Sequence, residues 1–160
     1  EMCIRDRLGS AGYEHYEISN FCRPGMYSRH NTSYWKGIPY LGCGPSAHSF
    51  NTDAREWNIS SLEDYIHSIE NNHRRFENEY LDRTTRYNEC IMTSIRTKRG
   101  LSLNDLEREF GKELWQYCMN MARPHLDSGK LEIRDSHLCL TRKGIFVSDS
   151  IMSDLMFIED

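Results

Sequence analysis

The chain has 160 residues, 38% of them hydrophobic and 28% charged, with a formal net charge of −4. This is a somewhat polar globular composition, long enough for one domain, or for one small domain with a piece of another. The acidic balance speaks against nucleic acid as a partner, because phosphate binding needs a basic surface, and no apolar run reaches the roughly 18 residues that cross a bilayer.

Glu1 precedes Met2, and residues 1–8 carry no clear period. The chain therefore reads as a fragment of a longer protein with a few foreign residues in front. No apolar h-region follows the N-terminus, so no signal peptide is expected, and the expected location is cytoplasmic. Residues 13–18 read as a short strand, with Tyr13, His15 and Glu17 on one face and Glu14, Tyr16 and Ile18 on the other. Ser19-Asn20 ends it, and Arg23-Pro24-Gly25 turns the chain after Phe21-Cys22. Residues 26–59 are rich in Gly and Pro and read as a loop, and their aromatic content argues for a packed, functional one.

Ser60 with Glu63 forms a capping box for a helix to about Asn71, with Leu62, Tyr65, Ile66 and Ile69 on one stripe. Residues 71–82 are polar and read as a boundary. Thr84 or Thr85 opens a second helix carrying Tyr87, Cys90, Ile91, Met92 and Ile95. Ser102 caps a short helix with Leu103, Leu106 and Phe110, which Gly111 ends. A further helix, about 112–127, must be kinked or shortened by Pro124. Leu131–Ile133 and Leu138–Leu140 form a hairpin, and Thr141 caps a last helix to about Leu155 or Phe157. This order is winged-helix-like, but the third helix, with Lys112, Arg123 and His125 against Glu113 and Asp127, lacks the basic face that DNA binding needs, which favours a structural or docking role.

Six cysteines lie far apart, with no zinc, redox or iron–sulfur spacing, and read as buried or half-buried free thiols in a reducing cytosol. Of seven histidines, His67, His73, His125 and His137 read as hydrogen-bonded structural residues. His30 differs by its company, Asn31, Tyr34 and Trp35. An imidazole beside two large aromatics in a polar loop suits axial ligation of a haem iron, but from spacing alone an aromatic-lined packing cluster is the more ordinary reading. Gly42-Cys43-Gly44-Pro45-Ser46 allows close backbone approach to a ligand or simple loop packing, and it lacks the lysine of a phosphate loop. No Ser/His/Asp arrangement, paired carboxylates or H-E-x-x-H is present.

Taken together, GYEHYEISNFCRPGMYSRHNTSYWKGIPYLGCGPSAHSF (residues 12–50) resembles the segment closing the radical SAM core of HemW-type proteins. These are relatives of oxygen-independent coproporphyrinogen III oxidase (HemN). The run YNECIMTSIRTKRGLSLNDLEREFG (residues 87–111) is similar to the opening helices of the family's C-terminal domain, and the likeness covers roughly residues 11–157.

The resemblance implies an α/β fragment, residues 1–58, forming the end of a partial (β/α) radical SAM barrel with its cofactor-side loops. A mainly α, winged-helix-like C-terminal domain with a small hairpin would follow at 59–160. The strand near 13–18 would belong to a parallel barrel and lack pairing partners unless another segment supplies them.

The resemblance also carries over functional residues. The family's HNxxYW signature stands here as His30-Asn31-Thr32-Ser33-Tyr34-Trp35. It implies haem binding with His30 as the iron ligand and Tyr34 and Trp35 as walls. Ile18, Phe21 and Cys22, with Gly42 and Gly44, would lie on the S-adenosylmethionine side, Cys22 standing where many relatives have Ala. The family's CxxxCxxC is absent, so a [4Fe–4S] cluster and S-adenosylmethionine cleavage are expected only of the full-length parent.

The implied activity is that of a haem chaperone passing haem to haem-requiring proteins such as respiratory enzymes. No transmembrane segment is expected, and peripheral membrane association is allowed. Two alternatives stand beside it: a coproporphyrinogen III oxidase decarboxylating two propionates by a 5′-deoxyadenosyl radical, and an interaction module without cofactor.

Overall fold

The computed structural model describes residues 2–158. The elements run α1 (Met2–Ser10), β1 (Glu14–Glu17), β2 (Asn20–Cys22), α2 (Arg29–Trp35), β3 (His48–Phe50), β4 (Ala54–Asn58), α3 (Leu62–Glu70) and β5 (Phe76–Tyr80). Then follow α4 (Arg83–Ile95), β6 (Leu101–Ser102), α5 (Leu103–Asp127), β7 (Leu131–Arg134), β8 (His137–Leu140), α6 (Arg142–Ile145) and α7 (Ser148–Leu155). The chain divides into two compact units, one formed by 1–36 with 83–160 and the other by 37–82. These bounds differ from the expected division after residue 58. The reason is pairing across that position: β4 runs antiparallel to β3 before it and to β5 after it.

In the first unit, the core is built where the helical period predicts it. Tyr87, Ile91 and Ile95 are buried on one side of α4, and Met92, expected among them, is exposed. They pack with Leu106, Phe110, Leu114 and Cys118 of α5 and with Ile151 and Leu155 of α7. The order of the small sheet is β6-β8-β7, all antiparallel. Its hairpin turns through Asp135 and Ser136, both at positive φ (49° and 60°), the left-handed pair of a tight two-residue turn.

Caps follow local chemistry. Ser102 Oγ accepts from Asp105 N–H, and Thr141 Oγ1 accepts from Gly144 N–H. The helix 103–127 is broken at Gly111 (φ 74°, ψ 170°), as its glycine predicts. Pro124 does not shorten it, because it sits in the last turn, where one ladder bond is lost. The last helix is split into α6 and α7 around Phe146 and Val147.

Several expectations are corrected. Residues 2–10 form a helix despite their weak period. The strand near 13–18 exists as β1, but it turns back at Ile18-Ser19 and pairs antiparallel with β2. No parallel ladder occurs among the described strands. Its two faces do not alternate cleanly, since an irregularity between His15 and Glu17 leaves Tyr16 and Glu17 both buried. The pairing that β1 needs comes in part from the distant end of α4. Ile18 N–H donates to the carbonyl of Arg96 (3.0 Å), and Lys98 N–H to that of Tyr16 (2.9 Å).

The second unit holds a three-stranded sheet, β3-β4-β5, and α3. The boundary expected at 71–82 contains β5, and the loop expected at 26–59 contains α2, β3 and β4. The cap of α3 is Ser61, accepting from Asp64 N–H, rather than Ser60. The apolar stripe of α3 is exposed, with Leu62 at 60%, Ile66 at 46% and Ile69 at 44%. What ties α3 into its unit is polar: Ser68 is buried, and Tyr65 OH accepts from Gly44 N–H at 3.1 Å.

Candidate functional site

The residues His30, Asn31, Tyr34 and Trp35 fall on α2, a seven-residue helix that the sequence alone reads as loop. Ser28 starts it, its hydroxyl accepting from Asn31 N–H at 3.3 Å. No residue of α2 is buried, so the helix presents an open face rather than a closed pocket. His30 is exposed and stands edge-on to Tyr34, with ring centroids 4.9 Å apart and planes at 84°. Neither imidazole nitrogen of His30 has a hydrogen-bond partner among the described residues. A neutral imidazole with a free lone pair is what a metal ligand requires, so the donor chemistry fits an axial ligand. Trp35 is half-buried, and its indole N–H is buried without an acceptor.

The ring of Trp35 is covered by Arg96, whose guanidinium carbon lies 4.6 Å from the ring centroid. Arg96 is in turn held by Glu17, Nε to Oε1 at 2.6 Å. The Glu17 side chain is fully buried. Its second oxygen accepts from Ser19 N–H at 3.0 Å and from the Asn20 side-chain amide. Burial pushes the Glu17 carboxyl up, but the hydrogen bonds from Arg96, Asn20 and Ser19 outweigh it and hold the group below its usual range. This chain of Glu17, Arg96 and Trp35 was not legible in the sequence, because Glu17 and Arg96 are 79 residues apart. The one signal available was a pair of carboxylates, Glu14 and Glu17, in a short strand with His15 and Tyr16 between them.

Ile18, Phe21 and Cys22 share the β1–β2 hairpin. Ile18 packs against the core, Phe21 stacks on His15 at 4.4 Å, and Cys22 is buried. The backbone donors of Ile18 and Ser19 are already engaged by Arg96 and Glu17. Gly42 and Gly44 belong to the second unit. A Cβ at Gly42 would meet the carbonyl oxygen of His48 at 2.1 Å, so the glycine serves a backbone crossing. The side-chain amide of Asn58 donates to the carbonyls of Gly42 (3.3 Å) and Gly44 (2.9 Å) and pins the run.

Among the remaining histidines, His125 is buried with Nε2 3.0 Å from Asp154 Oδ2, and His137 Nδ1 donates to the Asp135 carbonyl at 2.7 Å. His67 meets the side-chain amide of Asn71. Cys22, Cys118 and Cys139 are buried free thiols and Cys90 is half-buried, as expected, whereas Cys43 is exposed. The side chain of Cys3 lies outside the described residues. Among the described residues there is no group of three or more His, Cys, Asp or Glu placed to hold a metal ion, and no helix is long and apolar enough to cross a membrane.

Comparison with known proteins agrees with the family read from the motifs. Residues 81–147 match the HemN C-terminal domain. The chain is 31% identical to the heme chaperone HemW of Mycobacterium tuberculosis, over 94% of its own length and 37% of that protein. It is 24% identical to the heme chaperone HemW of Bacillus subtilis, over 92% of the chain and 39% of that protein. In fold it is similar to coproporphyrinogen III oxidase (HemN) from Escherichia coli, a radical SAM enzyme. The TM-score there is 0.71 at 17% identity, covering 97% of this chain and 39% of that one.

The chain is thus related to the HemW/HemN radical SAM family and carries its C-terminal domain. Within that family its likeness is to the HemW type, of which it spans well under half the length.

Proposed function

We propose that this chain is the haem-handling portion of a HemW-like radical SAM haem chaperone, with haem as its cargo. The observation that carries the reading is His30. It lies in the HNxxYW motif, exposed on α2, with both imidazole nitrogens unengaged and Tyr34 against its edge. That the relatives are named heme chaperones supports the same reading. His30 would hold haem through one imidazole nitrogen on the iron. Tyr34 and Trp35 supply aromatic surface beside that ligand, and Asn31 helps to hold the helix start through Ser28.

In the longer parent, S-adenosylmethionine and a [4Fe–4S] cluster complete the reading. The 18–22 hairpin would then lie on the cofactor side, at the end of a partial barrel. The order α4, β6, the two halves of α5, and the β7–β8 hairpin supports reading the C-terminal domain as winged-helix-like. Acceptors would be haem-requiring proteins such as respiratory enzymes in the cytoplasm or at its membrane face.

The test is hemin titration of the 160-residue chain followed by its Soret absorption. Wild type should give a histidine-ligated band, and His30→Ala should lose it and weaken binding about tenfold or more. An unchanged band in His30→Ala overturns the reading.

A further inference from the structure

We propose that Arg96 is a positioning residue for the haem-side helix: clamped by Glu17, it fixes the indole of Trp35 and thereby the setting of α2. The haem consequence rests on the function proposed above.

The argument begins with Glu17. A fully buried carboxylate needs a cation and hydrogen bonds, and among the described residues the cation on it is Arg96, at 2.6 Å. Arg96 is therefore restrained at both ends. Its side chain is held by Glu17, and its carbonyl accepts from Ile18 N–H at 3.0 Å. A long cationic side chain normally samples many rotamers on a surface, but this one is ordered before it meets Trp35. Its planar guanidinium then lies over the indole at 4.6 Å, a cation–π arrangement.

The indole itself has no other polar anchor. Its N–H is buried and finds no acceptor, so stacking on Arg96, not a hydrogen bond, sets the ring's place. Trp35 is the last residue of α2, and the helix carries no buried residue to seat it. Fixing Trp35 therefore fixes the end of the helix that presents His30 and Tyr34. The clamp also couples three distant segments, the β1–β2 hairpin, α2 and the end of α4. The last of these lies within the region matched to the HemN C-terminal domain. On this account the C-terminal domain holds the haem-side helix in register with the hairpin.

The test uses the 160-residue chain and three variants, Arg96→Gln, Arg96→Lys and Glu17→Gln, each checked for folding by circular dichroism. The first readout needs no haem. It is the indole N–H resonance of Trp35 in a ¹⁵N correlation spectrum, assigned with Trp35→Phe. In Arg96→Lys the charge on Glu17 is kept but the planar stack is lost. The Trp35 resonance should shift or broaden in all three variants, while those of Trp57 and Trp115 stay in place. The second readout is hemin affinity, expected to fall about tenfold in Arg96→Gln and less in Arg96→Lys.

A Trp35 resonance unmoved in folded Arg96→Gln and Arg96→Lys overturns the proposal. So does a moved resonance with wild-type hemin affinity, because the clamp would then not set the haem side. If wild type binds no hemin at His30, the function proposed above fails by itself, and the Trp35 resonance alone decides whether Arg96 positions the ring.

Discussion

The hydroxyl of Tyr87, buried in the middle of the first unit's core, donates to the carbonyl of Leu155 at 3.0 Å. This bond joins α4 to the end of α7 across 68 residues. Asn88 extends the seam, its amide donating to the Phe157 carbonyl (2.9 Å) while its side-chain oxygen accepts from Phe157 N–H (2.8 Å). Tyr117 OH adds a bond to the Met156 carbonyl. Burial pushes the Tyr87 hydroxyl far above its ordinary value, so it stays a donor through the alkaline range. Tyr87→Phe removes the donor and leaves a buried carbonyl unpaired. The expected cost is about 1–2 kcal/mol, read as a lower urea midpoint with an unchanged slope.

Acid should weaken the clamp on β1. Glu17 has a folded-state pKa below its ordinary 4.5, because hydrogen bonds from Arg96, Asn20 and Ser19 outweigh the effect of burial. For a depressed carboxylate the stabilisation is present above the unfolded value and is lost as pH falls through the folded one. Unfolding free energy should therefore drop as pH falls below the ordinary 4.5 and on through the lower folded-state value. Glu17→Gln should start lower at neutral pH and lose less of its stability over that interval. Equal acid slopes for the two proteins would remove Glu17 from the explanation.

Gly111 is the break inside the helix 103–127, at φ 74° and ψ 170°. That combination is open almost only to glycine. A Cβ there would touch just the far end of Arg83 at 3.3 Å, which can move aside, so the penalty is one of backbone strain. Gly111→Ala is expected to lose about 1–3 kcal/mol, seen as a fall in the thermal midpoint.

Thiol chemistry should separate the cysteines. Burial pushes Cys90 and Cys118 up to about 11, and also raises Cys139. At mildly alkaline pH these groups are almost entirely thiols, and thiols are poor nucleophiles. Cys43 is exposed in the second unit. With a disulfide reagent in the native state, Cys43→Ser should remove a fast phase, whereas Cys90→Ser and Cys118→Ser should leave the fast phases unchanged until denaturant is added.

Much of the local architecture was readable residue by residue. The cap at Ser102, the stop at Gly111, the hairpin around 134–137 and the buried period of Tyr87, Ile91 and Ile95 follow from side-chain chemistry within a few positions. The HNxxYW motif was also legible as a string, though its helix was not. Ser28, the residue that starts α2, lies among Pro, Gly and aromatic residues that read as loop. The stripe of α3 kept its helical period while remaining exposed, since a period specifies a face and not what covers it.

By itself, then, the sequence determined the helices and turns of the C-terminal part and the presence of His30, Asn31, Tyr34 and Trp35 in one motif. Only the tertiary structure decided that β1 folds back on β2, and that the carboxylate of Glu17 is buried rather than solvated. It alone brought Arg96 between Glu17 and Trp35. The physical reason is range. Caps, turns and periods are settled among neighbours along the chain, whereas a buried ion pair spanning 79 residues exists only once the core has closed around it.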